Sequence, residues 1–268
     1  VTLPFFPRGT DPGPDFATLV RRHGTEPFPA PQTPHLPEHI THGTTCVAVR
    51  YADGVVMAGD RRATSGNLIA HRSIEKVFSA DRHSAVAIAG AAGPAVEMVR
   101  LFQLQLEHYE KVEGAALSLE GKANQLGQML RSNLPAAMSG LAVVPIFAGF
   151  DLARNTGRLF EYDITGGRYE ESDYAATGSG SLHAETVIKV GYRREMTAEE
   201  AVRLLVESLF QAADADSATG GADTLRGIYP IIATISEAGF ERIDDEVVGA
   251  QFVEVAEQFA ANHREVNQ

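Results

Sequence analysis

Thr44-Thr45-Cys46-Val47-Ala48-Val49-Arg50-Tyr51, then Ala52-Asp53-Gly54, then Val55-Val56-Met57-Ala58-Gly59-Asp60 is the stretch on which the fold turns. Two runs rich in β-branched and small apolar residues flank an Asp-Gly pair. Asp-Gly readily supplies the positive φ angles of a tight turn, so the stretch predicts a hairpin over 45–51 and 55–60.

Downstream of the hairpin, short strands are predicted at 75–79 and 84–89. From 92 to 113 the apolar period lengthens to three or four residues through Ala95, Met98, Phe102, Leu106 and Tyr109, which predicts an amphipathic helix. A second helix is predicted over 119–134, with Pro135 at its end. Strands follow near 142–151 and 157–163, then a bend at Gly166-Gly167. Helices are predicted at 181–191 and 198–213, the latter opened by Thr197-Ala198-Glu199-Glu200, a capping box. Strands at 229–236 and 239–243 and a last helix with Val248, Phe252, Val255 and Phe259 on one stripe complete the chain. Runs of strands separated by helix pairs favour antiparallel sheets with helices outside over a doubly wound parallel sheet.

Upstream of the hairpin the chain is different. Nine of the 13 prolines and four of the nine histidines fall in residues 1–43. Proline at that density, as in Pro27-Phe28-Pro29-Ala30-Pro31, blocks helix and sheet ladders alike. Three basic residues face four acidic ones before Thr44, and 20 face 31 after it, so nearly all of the net charge of −12 belongs to the second part. The leading segment reads either as a linker-like tail or as a removable pro-segment.

The 268 residues, 44% apolar and 22% charged, have the composition of a globular protein with a sizeable core. The acidic balance argues against an extended nucleic-acid surface, although it leaves room for a local basic patch. Cys46 is the single cysteine, which excludes an internal disulfide and fits a reducing, cytoplasmic compartment. No apolar run is long enough to predict a membrane span, and the first residues lack a secretory signal pattern. Cys-x-x-Cys and calcium-loop spacings are missing, so no metal is expected. The glycine-rich Gly90-Ala91-Ala92-Gly93 and Gly178-Ser179-Gly180-Ser181 lack the lysine or spacing of phosphate loops, so no cofactor is expected. There is no Gly-x-Ser-x-Gly elbow.

The junction itself remains. Cleavage after Gly43 would leave Thr44 with a hydroxyl nucleophile and a free α-amine whose ordinary pKa, about 7.7–8.0, suits it to act as base near neutral pH. Without cleavage, Thr44 and Thr45 read as ordinary β-branched strand residues.

Thr44-Thr45-Cys46-Val47-Ala48, Gly59-Asp60-Arg61-Arg62-Ala63-Thr64, Lys76, Ile88-Ala89-Gly90-Ala91-Ala92-Gly93, Gly178-Ser179-Gly180-Ser181 and Asp214-Ala215-Asp216-Ser217-Ala218-Thr219-Gly220-Gly221 occur in an order and spacing that resembles the catalytic β subunits of the 20S proteasome family, in their actinobacterial form. The resemblance implies an α+β fold, a four-layer αββα sandwich of two antiparallel sheets flanked by helices. It divides the chain into a propeptide, 1–43, and a catalytic domain, 44–268.

Residue by residue, the resemblance implies Thr44 as nucleophile, freed by self-cleavage of Gly43–Thr44. It implies Lys76 as the ammonium beside Thr44, Asp60 as the partner of Lys76, and Gly90 as the backbone oxyanion donor. Ser179 and Asp216 match supporting groups near the Thr44 amine, with Ser181 and Asp214 close by. Asp60 and Lys76 also read as a surface ion pair, and Gly90 as a turn glycine. Thr64 and Ala92 match backbone positions that pair with an extended substrate. Ala63, Ile74, Ile88 and Ala92 match the lining of a specificity pocket, which implies preference for large apolar residues.

The implied activity is threonine endopeptidase, and the implied partners are α subunits and further β subunits. These form heptameric rings, two of β between two of α, fed by a ring ATPase and a protein tag. Ring interfaces would account for apolar helix faces on more than one side. Competing readings are a simpler bacterial threonine protease ring subunit, which is shorter and lacks so long a pro-segment, a non-catalytic ring subunit, and a binding module with a tail.

Overall fold

A computed structural model describes residues 43–266, with side chains to residue 261. The expected hairpin opens it: β1 (Thr45–Tyr51) pairs antiparallel with β2 (Gly54–Gly59), Tyr51 facing Gly54 at the turn. The chain continues through β3 (Ala63–Ser65), β4 (Leu68–His71), β5 (Val77–Asp81) and β6 (Ser84–Gly90). Helices α1 (Ala92–Glu113), α2 (Leu119–Ser132) and the short α3 (Leu134–Met138) follow. Next come β7 (Val143–Asp151), β8 (Thr156–Tyr162), β9 (Arg168–Glu171) and β10 (Tyr174–Gly178), then α4 (Ser181–Gly191) and α5 (Ala198–Ala215). The chain closes with β11 (Ile231–Ser236), β12 (Gly239–Arg242) and α6 (Asp245–Val266).

Two five-stranded antiparallel sheets result, ordered β10-β1-β2-β11-β12 and β5-β6-β7-β8-β9, with β3 and β4 as a separate two-stranded ribbon. The pleat explains why β1 and β6 are apolar at nearly every position. Successive side chains point to opposite faces, and each face here has a core. From β1, Val47 and Val49 join Leu205 and Phe252 of the outer helices, whereas Cys46 and Ala48 join Ala85, Ala87 and Ile146 between the sheets. From β6, Val86 and Ile88 pack with Phe102 and Leu126 of α1 and α2. Three cores separate four layers, helix–sheet–sheet–helix, which is the αββα sandwich. Alanines at the inter-sheet face, Ala48, Ala85, Ala87, Ala148 and Ala233, keep that middle core thin.

Several elements differ from the sequence expectation. β3, β4, β9 and β10 are additional. β3 and β4 are short and polar or exposed, and β10 is an edge strand that carries the chain from one sheet to the other. Pro135 does not end a helix. α2 stops at Ser132, and Pro135 lies in the first turn of α3, where its missing N–H costs no helical bond. The capping box is formed: Glu200 N–H donates to Thr197 Oγ1 at 3.2 Å and Thr197 N–H to Glu200 Oε2 at 2.9 Å. The expected propeptide, 1–43, lies outside the described residues except for Gly43. Among the described residues no helix is long and apolar enough to cross a membrane.

Candidate active site

The start of β1 is wedged between the end of β10 and the residues after β2. Thr45 pairs with Gly178 on one side, and the Asp60 N–H donates to Thr45 O at 3.1 Å on the other. Thr44 is therefore buried, 4% exposed, at the open end of the sheet. Gly178 must be glycine for this approach. Its φ is +100°, and a Cβ there would lie 1.8 Å from Thr44 O. The turn continues with Ser179 N–H donating to Thr44 O at 2.8 Å and Gly180 N–H to Thr45 Oγ1 at 3.0 Å.

Asp60 and Lys76, sixteen residues apart, meet below Thr44. Lys76 Nζ donates to Asp60 Oδ1 at 2.6 Å and to Arg62 O at 2.6 Å, and both side chains are closed to solvent. Asp60 is saturated. Oδ1 also accepts Thr45 N–H at 2.8 Å, and Oδ2 accepts Arg62 N–H at 2.9 Å and Gly220 N–H at 2.8 Å. One carboxylate thus fixes β1, the segment after β2, the residue before β5 and the loop after α5. A surface ion pair would do none of this, which removes that reading of Asp60 and Lys76.

A second polar chain runs from the Thr44 nitrogen. Thr44 N–H donates to Ser179 Oγ at 3.4 Å, and Ser179 Oγ donates to Asp216 Oδ2 at 2.6 Å. Asp216 caps the end of α5. Its carboxyl is held below the usual carboxylate range: burial pushes it up, but hydrogen bonds from Ser179, Thr219 and the Ala218 N–H together outweigh that. Asp214 is exposed and Ser181 begins α4, so Asp216 and Ser179 are the pair that faces Thr44.

Thr219 is a residue the sequence reading passed over. It is fully buried, bonds Asp216 Oδ2 at 2.6 Å, and lies 2.5 Å from Thr45 Oγ1. Its spacing of three from Asp216 was the available signal, but the tract Ser217-Ala218-Thr219 offers two hydroxyls.

Thr44 Oγ1 donates to Gly43 O at 2.8 Å, and Gly43 N–H donates to Thr64 Oγ1 at 3.2 Å, so Thr64 faces the junction. Gly90 ends β6 with φ +102°, and a Cβ there would lie 2.1 Å from Ala142 O. Packing against Ala142 alone is thus enough to require glycine at this position.

Of the four residues expected to line a specificity pocket, Ile88 is buried in the helix-side core, and its N–H donates to Lys76 O at 2.9 Å. Ile74 is half-buried, with its N–H on Arg61 O at 3.1 Å. Ala63 opens β3 and Ala92 opens α1, both partly buried. Beneath the site, Cys46 donates from Sγ to Ile88 O at 3.4 Å. Burial pushes its thiol up to about 12, with Asp60 adding to and Lys76 opposing the rise.

Comparison with known proteins adds an independent line. A family model described as proteasome subunit matches residues 40–226. The chain is 59% identical over 245 residues to a proteasome subunit beta of Acidimicrobium ferrooxidans, covering 91% of this chain and 90% of that one. It is 62% identical over 205 residues to a proteasome subunit beta of Streptomyces griseus, covering 76% and 73%. Against one of Jonesia denitrificans it is 49% identical over 265 residues, covering 97% and 88%.

Proposed function

The chain belongs to the proteasome subunit family, among relatives of the β type, and from that premise we propose that it is a self-processing threonine endopeptidase with Thr44 as nucleophile. The observation that carries this reading is the junction: Thr44 Oγ1 is bonded to the Gly43 carbonyl oxygen while the Thr44 nitrogen is bonded through Ser179 to Asp216.

In the proposed first step, Thr44 Oγ1 attacks the Gly43 carbonyl carbon and loses its proton. The Thr44 nitrogen takes up that proton, the C–N bond breaks to leave the free neutral amine, and the Gly43 acyl group is held as an ester on Oγ1. Water hydrolyses the ester, regenerates the hydroxyl and releases residues 1–43. Until then the nitrogen is an amide and cannot act as base.

In the mature site the free amine takes the hydroxyl proton as Thr44 attacks a peptide carbonyl. Ser179, backed by Asp216 and through it by Thr219, holds that amine, and the Lys76 ammonium, kept in place by Asp60, lowers the cost of the developing alkoxide. The Gly90 N–H is assigned to the oxyanion. Thr64 and Ala92 are assigned to main-chain pairing with the substrate. Ala63, Ile74, Ile88 and Ala92 are assigned to an apolar specificity pocket, since none can pair with a Lys or Arg side chain.

Proteasome subunits assemble into rings. For this chain the proposed assembly is heptameric β rings between α rings in the cytoplasm, supplied by a ring ATPase. Exposed Leu101 and Leu104 on α1, and Leu182, Val190 and Val253 on α4 and α6, leave apolar side chains on both outer layers, as a subunit stacked on two sides requires.

N-terminal sequencing and intact mass of active particles test the reading. A mature chain starting at Thr44 is expected, Thr44→Ala should abolish both cleavage and peptide hydrolysis, and active particles retaining 1–43 would refute it.

A further inference from the structure

Three guanidinium groups converge on one small cavity in a chain that is otherwise acidic. Arg61 and Arg62 follow β2, Arg72 follows β4, and with Gly220, Gly221 and Tyr229 they line a cavity of about 30 Å³. A protein of net charge −12 has carboxylates to spare, yet among the described residues only Arg61 of the three has one within ion-pair distance. Arg62 Nη1 donates to Ser217 O at 2.9 Å, and Arg61 Nη2 donates to Ser73 O at 2.9 Å. The one acid near Arg61 is Asp245, at 3.9 Å. Arg72 makes no hydrogen bond or ion pair with the described residues. Asp223, the carboxylate at the cavity wall, is held by Arg226 at 2.8 Å and also feels the charge of Arg72.

We propose that this cavity is an anion site for a single carboxylate- or phosphate-type group, with Arg61, Arg62 and Arg72 as its donors. The guanidinium fork matches the paired oxygens of such groups, and three guanidinium side chains beside one wall carboxylate that Arg226 already holds leave the cavity with an excess of positive charge.

The site adjoins the catalytic support without being part of it. Arg62 contributes its backbone to the Asp60–Lys76 pair, Gly220 donates to Asp60, and Arg61 O accepts the Ile74 N–H. An anion bridging the three arginines therefore ties together the same segments that fix Asp60, and its binding stabilises that corner by mass action.

The test is thermal unfolding of the full-length protein in inorganic phosphate, titrated against sodium chloride at constant ionic strength. Phosphate is expected to raise the unfolding midpoint saturably. Arg72→Ala removes a side chain that supports no described contact and should weaken the apparent affinity about tenfold, the loss expected for one charge-assisted hydrogen-bonding group. Arg72→Lys, which keeps the charge without the fork, should fall between. Arg100→Ala, an exposed arginine on α1, should behave as wild type. Parallel titrations with acetate and with a tripeptide as free acid or C-terminal amide assign the source. Response to phosphate and acetate alone indicates free small anions, and a response to the acid but not the amide indicates a peptide carboxylate. No saturable shift in the wild type, an equal shift in chloride, or an unchanged affinity in Arg72→Ala overturns the proposal.

Discussion

The Asp60–Lys76 pair and the Arg158 cluster both sink a basic side chain almost completely, at 2% and 4% exposure, yet they surround it differently. Lys76 meets one carboxylate that is itself closed to water and accepts three backbone N–H groups besides. Arg158 meets three carboxylates, Glu120, Asp151 and Glu170, of which Glu120 and Glu170 remain nearly half exposed. Its guanidinium also lies 5.0 Å from the centre of the Phe160 ring. The first arrangement fixes backbone around Thr44. The second ties the start of α2 to β7, β8 and β9. A buried pair with sealed partners is costly to break and poorly replaced by water, whereas partners at the surface can re-solvate.

Removing the basic group from each centre sharpens that contrast most. Lys76→Met leaves a buried carboxylate and should cost about 3–5 kcal/mol, toward the lower end because Asp60 keeps its backbone donors. It should also eliminate peptide hydrolysis in whatever fraction remains folded. Arg158→Met should cost about 1–3 kcal/mol, since Glu120 and Glu170 turn to solvent, and leave activity per folded molecule unchanged. Denaturant unfolding with matched peptidase assays reads both. Equal stability losses would break the comparison.

The acid limb is the next discriminator. Glu120 and Glu170 are held below the usual carboxylate range chiefly by hydrogen bonds from Arg158, with Arg168 also acting on Glu120. Asp216 is held down by Ser179, Thr219 and Ala218 against the effect of burial. Groups depressed in the folded state stabilise it fully above the ordinary carboxylate pKa and lose that contribution as pH falls through the folded values. Stability should therefore decline below about pH 4. Arg158→Met should flatten that decline. Thr219→Val should do so less, while costing about 1–3 kcal/mol by leaving the buried Thr45 hydroxyl short of a partner. An acid limb identical in all three proteins would sink the assignment.

How far the sequence could be read follows the same division. The β1–β2 hairpin was legible because Asp53-Gly54 and two unbroken apolar runs are local signals, and α1 and α5 were legible from their apolar period and the Thr197–Glu200 box. β10 was not: Tyr174-Ala175-Ala176-Thr177-Gly178 has little pattern of its own and becomes a strand through pairing with β1. Asp60 and Lys76 could be picked out by resemblance, but the four donors on Asp60 arise from four separated segments. Thr219 was missed for a similar reason, since its contact with Thr45 spans 174 residues.

Cys46 offers the smallest and most local test. Its thiol lies in the core between the sheets, fully buried, and is pushed up to about 12 by burial first, so almost no thiolate exists in the folded protein near pH 8. Native protein should resist iodoacetamide for hours and react at once in guanidinium. The two variants give this labelling a further use. Lys76 pulls the thiol down more than the hydrogen bond to Ile88 does, so its loss makes Cys46 still less acidic in the folded state. Any faster labelling in Lys76→Met therefore reports opening of the structure and not activation of the thiol. If labelling in Lys76→Met exceeds what its global stability predicts while Arg158→Met follows its own, the sealed centre is a local clasp on the start of β1. If both follow global stability, the two centres open only with the whole fold.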